Sequence, residues 1–163
     1  MIEKAVNIKE LASLAYEIWH EYWTCILSDA QIDYMVDKFQ SEYAINKQLN
    51  EENYIYFYIL SDNKKAGYIG ISRKEEYLFL SKLYIKKEFR HKGFGGNAFD
   101  FIKKYAVSLN YKKIILTVNK YNRNAINAYN KWGFKTIDSV VTDIGSGFVM
   151  DDYIMEYNLT QCS

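Results

Sequence analysis

The stretch Leu83-Tyr84-Ile85-Lys86-Lys87-Glu88-Phe89-Arg90-His91-Lys92-Gly93-Phe94-Gly95-Gly96 decides how this chain is read. It leaves an apolar β-rich segment, crosses a basic stretch and enters a glycine cluster. The residues after it set Ala98, Phe101, Ile102, Tyr105, Ala106 and Leu109 on one face of a helix, close to a 3.6-residue period. Such a strand-to-helix junction exposes backbone N–H groups that have no intrahelical partner. Together with the helix dipole they suit an anion such as a diphosphate. Glycine permits positive φ and close approach of a ligand. Arg90 and Lys92 add positive charge.

Upstream, residues 1–6 suit a short edge strand. Asn7 with Glu10 and Ser28 with Gln31 read as capping boxes. They open helices whose apolar stripes are Leu11, Leu14, Ala15, Ile18, Trp19, Tyr22 and Ile32, Met35, Val36, Phe39. A shorter helix follows around Ala44–Leu49. The period then changes. Tyr54–Leu60, the turn residues Ser61-Asp62-Asn63-Lys64 and Lys65–Ile71 read as a hairpin, and Tyr77–Ile85 as a further strand. Downstream come a strand at Lys113–Val118 and a helix at Asn122–Lys131 stopped by Gly133. Two closing strands, Phe134–Val141 and Phe148–Leu159, are joined through Gly145-Ser146-Gly147. No repeat, linker or low-complexity tract interrupts this order. It reads as one mixed α/β domain over residues 1–163.

A glycine cluster alone is equally a plain turn. Gly93-Phe94-Gly95-Gly96-Asn97-Ala98 formally matches the dinucleotide pattern G-x-G-x-x-A. That fold, however, wants a tight turn after the strand and an acidic residue at the end of the next one. Here several residues precede Gly93, and the next strand ends Val118-Asn119-Lys120. A P-loop fails because no Gly-Lys-Ser/Thr follows. Beside the plain turn, the third reading is an acyl-coenzyme A loop, which the following resemblance implies.

Two segments carry a family resemblance. Leu83-Tyr84-Ile85 followed by Phe89-Arg90-His91-Lys92-Gly93-Phe94-Gly95 resembles the Arg/Gln-x-x-Gly-x-Gly/Ala motif of the GNAT acetyltransferases. Asn122-Arg123-Asn124-Ala125-Ile126-Asn127-Ala128-Tyr129-Asn130-Lys131-Trp132-Gly133-Phe134 is similar to that family's Asn-x-x-Ala-x-x-x-Tyr-x-x-x-Gly-Phe segment. The resemblance spans Tyr54–Phe134 and extends loosely over the C-terminal strands. It implies a mostly antiparallel mixed sheet of six or seven strands with helices on both faces. The central strands Tyr77–Ile85 and Lys113–Val118 would splay to admit a pantetheine arm. It implies acetyl-coenzyme A as cosubstrate, held by Leu83, Tyr84, Ile85, Arg90, His91, Lys92, Gly93, Phe94, Gly95, Gly96, Asn122 and Ala125. Tyr129 would sit beside the cofactor sulfur. Taken alone, Tyr129 is one of 16 tyrosines, and core packing on a helix face explains it as well.

Transfer of an acetyl group to an amine expels a thiolate, whose parent thiol has a pKa of ~8.5 judged from cysteine. A phenol can protonate it. Backbone N–H groups near Leu83–Ile85 suit the developing oxyanion. The amine must first lose a proton, which at pH 7 costs roughly 4.6 kcal/mol for a pKa of ~10.4. Many family members carry a glutamate on the strand before the glycine loop. Tyr77-Leu78-Phe79-Leu80-Ser81-Lys82-Leu83 has none. Glu75, Glu76 and His20 are the candidate bases, and each is equally well a solvated surface group. Trp19-His20-Glu21-Tyr22-Trp23 offers rings and an acid to a cationic amine, although Trp19 and Tyr22 also continue the core stripe. Asp151-Asp152 interrupts an apolar strand, so one of the two faces inward and needs a partner, from a ligand or from the protein. The C-terminal pattern is similar to that of small-polyamine acetyltransferases. The expected acceptor is a polyamine-like small-molecule amine or a peptide, attacked directly in a ternary complex. The alternative is a non-catalytic acyl-coenzyme A sensor.

The bulk composition bounds the rest. With 163 residues, 49% hydrophobic and 25% charged, the chain suits a single core. A net charge of +1 gives no field for nucleic acid or an anionic membrane. Cys25 and Cys162 make neither a disulfide framework nor a metal spacing, and no metal is expected. The N-terminus lacks a signal-like apolar run, and no stretch approaches the ~20 apolar residues of a membrane span. A reducing cytoplasm fits, as does an AT-rich bacterial genome, given the absence of proline and the abundance of Lys, Asn, Ile and Tyr. Monomer and homodimer are both open.

Overall fold

Three side-chain caps fix the N-terminal helices in the computed structural model, which describes residues 1–161 and leaves Cys162 outside the described residues. Asn7 Oδ1 accepts from the Glu10 amide at 3.0 Å, Ser28 Oγ from Gln31 at 3.2 Å, and Ser41 Oγ from Ala44 at 3.2 Å. They open α1 (Ile8–Tyr22), α2 (Asp29–Gln40) and α3 (Glu42–Glu51). The third helix begins earlier than its apolar residues suggest, because the Ser41 cap lies before them.

The sheet has seven strands: β1 (Ile2–Lys4), β2 (Tyr54–Ser61), β3 (Lys64–Arg73), β4 (Leu78–Ile85), β5 (Lys113–Asn119), β6 (Lys135–Gly145) and β7 (Phe148–Asn158). Their order is β1-β2-β3-β4-β5-β7-β6, antiparallel throughout except for the parallel pair β4/β5. A parallel pair needs a crossover, and α4 (Phe94–Ser108) supplies it. The last helix, α5 (Arg123–Trp132), ends on Gly133 at φ 110°, a left-handed position that favours glycine.

Strand alternation sends the two faces of the sheet into separate cores. Phe57 and Ile59 join Leu80, Ile102, Leu116 and Met155 beneath α4 and α5. Tyr56, Tyr58 and Tyr68 join Leu11, Ile18, Ile32 and Ile45 beneath α1–α3. The mixed α/β sheet with helices on both faces is therefore as the sequence predicts.

Beneath α1–α3 the core is partly polar. Trp19 Nε1 donates to the Tyr68 hydroxyl at 2.6 Å, and Tyr68 donates to Gln40 Oε1 at 2.6 Å. Gln40 Nε2 donates to Tyr56 at 3.1 Å, and Tyr56 to Gln48 Oε1 at 2.6 Å. These bonds pin α1, α2 and α3 to β2 and β3. Tyr68→Phe keeps the ring and strands Trp19 Nε1 and Gln40 Oε1 without partners. Each loss should cost about 1–3 kcal/mol. Urea denaturation should therefore show a lower midpoint at unchanged slope; an unmoved midpoint contradicts a stabilising relay.

Candidate active site

The strand pair β4/β5 is joined only over Leu78–Leu80 and Ile114–Leu116. Beyond Leu80 a bulge places Ser81 as an extra residue against β3, since Ile71 pairs with Leu80 and Gly70 with Lys82. A bulge bends its strand, and β4 leaves β5 from that point. Lys86 N donates back to Ala66 O at 2.7 Å. By alternation the amides of Leu83 and Ile85 then face the opened side.

At the far end of the gap, Gly93 takes φ 86° and forms the N-terminal boundary of α4 without a side-chain cap. The first intrahelical amide is that of Asn97, bonded to Gly93 O at 3.1 Å. The amides of Phe94, Gly95 and Gly96 thus have no partner among the described residues, and a side chain at Gly93 or Gly96 would meet nothing. A cavity of about 710 Å³ opens here, lined among others by Leu83, Ile85, Arg90, His91, Gly93, Phe94, Gly95, Ala125 and Tyr129. Arg90 is partly committed. Its Nε donates to Ile85 O at 3.0 Å, and its guanidinium lies 5.0 Å from the Tyr22 ring centre. Its buried Nη2 makes no hydrogen bond, only an ion pair with Glu21 at 3.7 Å. Three free amides and an orphaned guanidinium nitrogen beside a cavity fit the diphosphate of coenzyme A.

A second cavity, of about 280 Å³, lies under α1–α3. Both cavities are lined by Tyr22, Leu83, Ala125 and Tyr129, so they meet at the splay. Tyr129 stands on α5 with its ring against Trp132 and Phe134, each at 5.6 Å. Its hydroxyl has no hydrogen-bond partner among the described residues. Burial, and then the neighbouring Tyr22, hold its pKa well above the ordinary 10.0, so the phenol stays protonated across the neutral range. Asn122 is buried and engaged at both ends. Its Oδ1 accepts from the Ala125 amide at 3.3 Å, and its Nδ2 donates to the Tyr22 hydroxyl at 2.7 Å. Asn122 therefore caps α5 and ties it to α1 across the cleft, while also lining the smaller cavity with Tyr84. Lys92 and Gly96 line neither cavity.

The inward carboxylate is Asp152. It is 5% exposed, pairs in register with Asn119 of β5 and lines the smaller cavity. Burial, reinforced by Asp151 and opposed by Lys120, raises its pKa from 3.8 to about 6. Asp151 points away and meets Lys120 Nζ at 2.9 Å. The other candidate bases, His20, Glu75 and Glu76, line neither cavity. His20 is held by Asp33 at 2.6 Å and by the Tyr16 carbonyl at 2.8 Å on the outer face of α1. Glu75 and Glu76 are exposed in the turn before β4, at the strand end remote from the splay. Sequence reasoning passed over Lys82, which faces the cavity from β4, and Glu52, at its rim. A lysine inside an apolar strand, on the same face as Tyr84, was the available signal for Lys82.

A sheet parted between its parallel strands, with free helix amides at one end of the gap and a phenol at the junction of two cavities, defines an acyl-coenzyme A-dependent transferase. Residues 13–134 match the model of the GNAT acetyltransferase family, and the chain belongs to that family. No curated protein sequence matches it significantly. Among solved structures, PaiA N-acetyltransferase from Thermoplasma acidophilum in complex with coenzyme A superposes with a TM-score of 0.78 at 23% identity, covering 97% of this chain and 99% of that one. The ribosomal-protein-S18-alanine N-acetyltransferase from Escherichia coli gives a TM-score of 0.71 at 15% identity over 98% and 93% of the two chains. An aminoglycoside 6'-acetyltransferase type Ii gives 0.70 at 15% over 98% and 97%. At these identities the likeness is one of fold. No helix among the described residues is long and apolar enough to cross a membrane, and none of their His, Cys, Asp and Glu side chains cluster as a metal site.

Proposed function

We propose that residues 1–163 form one N-acetyltransferase domain that moves the acetyl group of acetyl-coenzyme A directly to a primary amine of a small molecule or peptide. The observation that carries this reading is the meeting of the two cavities at Tyr129. The larger receives the cofactor through the free amides at Phe94–Gly96, with His91 lining it and Arg90 and Lys92 supplying charge around them. The smaller receives the acceptor. The amine nitrogen attacks the thioester carbon, and the carbon–sulfur bond breaks. Asp152 takes the amine proton, directly or through water, and Tyr129 protonates the departing sulfur. The amides of Leu83 and Ile85 face the reacting carbonyl. At the reacting nitrogen alone, a polyamine-like amine and a peptide N-terminus both satisfy this chemistry.

Cofactor choice gives the direct test. At 100 times its Kd, acetyl-coenzyme A should stabilise the fold by about 2.7 kcal/mol. For a chain of this size that raises Tm by roughly 5–10 °C. NAD at the same concentration should leave Tm unmoved, and equal shifts with both would remove the basis of the proposal.

A further inference from the structure

The smaller cavity has a second charged end. Lys82 is half-buried, its stem lying over Gly70 between β3 and β4. Among the described residues its ammonium has one hydrogen bond, to Ser81 Oγ at 2.6 Å. The same Ser81 oxygen lies 2.8 Å from the Tyr54 hydroxyl. An ammonium has three donors and no acceptor, so two N–H groups of Lys82 are unused. Whichever of Ser81 and Tyr54 donates to the other, one hydroxyl proton is left over as well. The cluster therefore holds three spare donors, and all three residues line the cavity. The carboxylate felt by Lys82, Glu52, is exposed and forms no ion pair with it among the described residues.

Lys82 and Asp152 occupy separate ends. Asp152 stands on β7 in register with Asn119 of β5, across β5 and the gap from Lys82 on β4. Burial lowers the pKa of Lys82 to about 8, a penalty that a bound anion would relieve. A cavity of about 280 Å³ sits just below the ~300–1,000 Å³ usual for drug-sized ligands, so the acceptor is small.

Resting on the acetyltransferase reading, we propose that the acceptor is a small primary amine that also carries a carboxylate, its amine turned to Asp152 and its carboxylate held by Lys82, Ser81 and Tyr54. A diamine of the same length would bring a second ammonium against Lys82.

The test is thiol release with chain-length-matched ω-amino carboxylates, amino alcohols and diamines at saturating acetyl-coenzyme A. The amino carboxylates should lead the diamines by at least roughly 10-fold in kcat/KM, the scale of one charged hydrogen bond. Lys82→Met should abolish that preference, mainly through KM, and Lys82→Arg should retain it. Should Lys82→Met fold poorly, Tyr54→Phe gives the same comparison with a smaller loss. Equal or faster turnover of diamines overturns the inference, as does a preference untouched by Lys82→Met, or silence from every amine while acetyl-coenzyme A still raises Tm. Loss of the acetyl-coenzyme A shift itself would instead sink the underlying assignment.

Discussion

Tyr129→Phe is expected to slow acetyl transfer by about 10²-fold or more while leaving acetyl-coenzyme A affinity nearly intact. The substitution removes one oxygen. The ring keeps its contacts with Trp132 and Phe134, so α5 and its Asn122 cap are undisturbed. Because the hydroxyl has no partner among the described residues, its loss strands no buried group among them and should cost little stability. On the proposed reading, cofactor affinity rests on the amides at the start of α4, on the other side of the junction. The loss should therefore appear in kcat, measured by thiol release, while calorimetry with acetyl-coenzyme A is unchanged. A kcat within about 3-fold of wild type would exclude the phenol as the acid. A wild-type chain that binds the cofactor and turns over no amine would instead favour a sensor.

Asp152→Asn should separate activity from stability in opposite directions. As the base, Asp152 works only when ionised, so wild-type kcat/KM should climb as pH rises through about 6. The Asn variant should lose roughly 10²-fold and that acid limb with it. The stability effect follows from the same raised pKa. Between pH 3.8 and about 6 the folded chain holds a proton that the unfolded chain releases. Stability from this group is present below 3.8 and is lost as pH rises through the folded value. At pH 7 the buried charge costs on the order of 2–3 kcal/mol, which the neutral amide avoids. The urea midpoint of Asp152→Asn should exceed wild type at pH 7 and converge with it toward pH 4. An active variant with an intact acid limb would pass the base role to another group.

Most of the fold was legible because it is written locally. The caps at Asn7 and Ser28 act on amides three residues away, as does the Ser41 cap that the apolar pattern missed. Gly93 and Gly133 mark left-handed positions where glycine is favoured, and the change from a period of 3.6 to one of 2 separates helices from strands. The glycine turn entering α4 was legible for the same reason, since it consists of consecutive backbone groups at a helix start. The base was not. Glu75, Glu76 and His20 lie near the motifs in sequence or composition, but proximity along the chain says nothing of which way a side chain faces. Asn122 was read as a cofactor contact, while its two ends are taken by the Ala125 amide and the Tyr22 hydroxyl, the latter 100 residues away.

By itself, then, the sequence determined the elements, the glycine turn and the phenol on the last helix, because each depends on neighbours within a few residues. The tertiary structure decided which of two adjacent aspartates faces inward, since only the β5/β7 register turns Asp152 to the cavity and Asp151 to Lys120. It also decided that a lysine on β4 and a carboxylate on β7 share one enclosure. Their meeting depends on sheet order and burial, which couple residues about seventy positions apart and raise or lower their proton affinities by removing water.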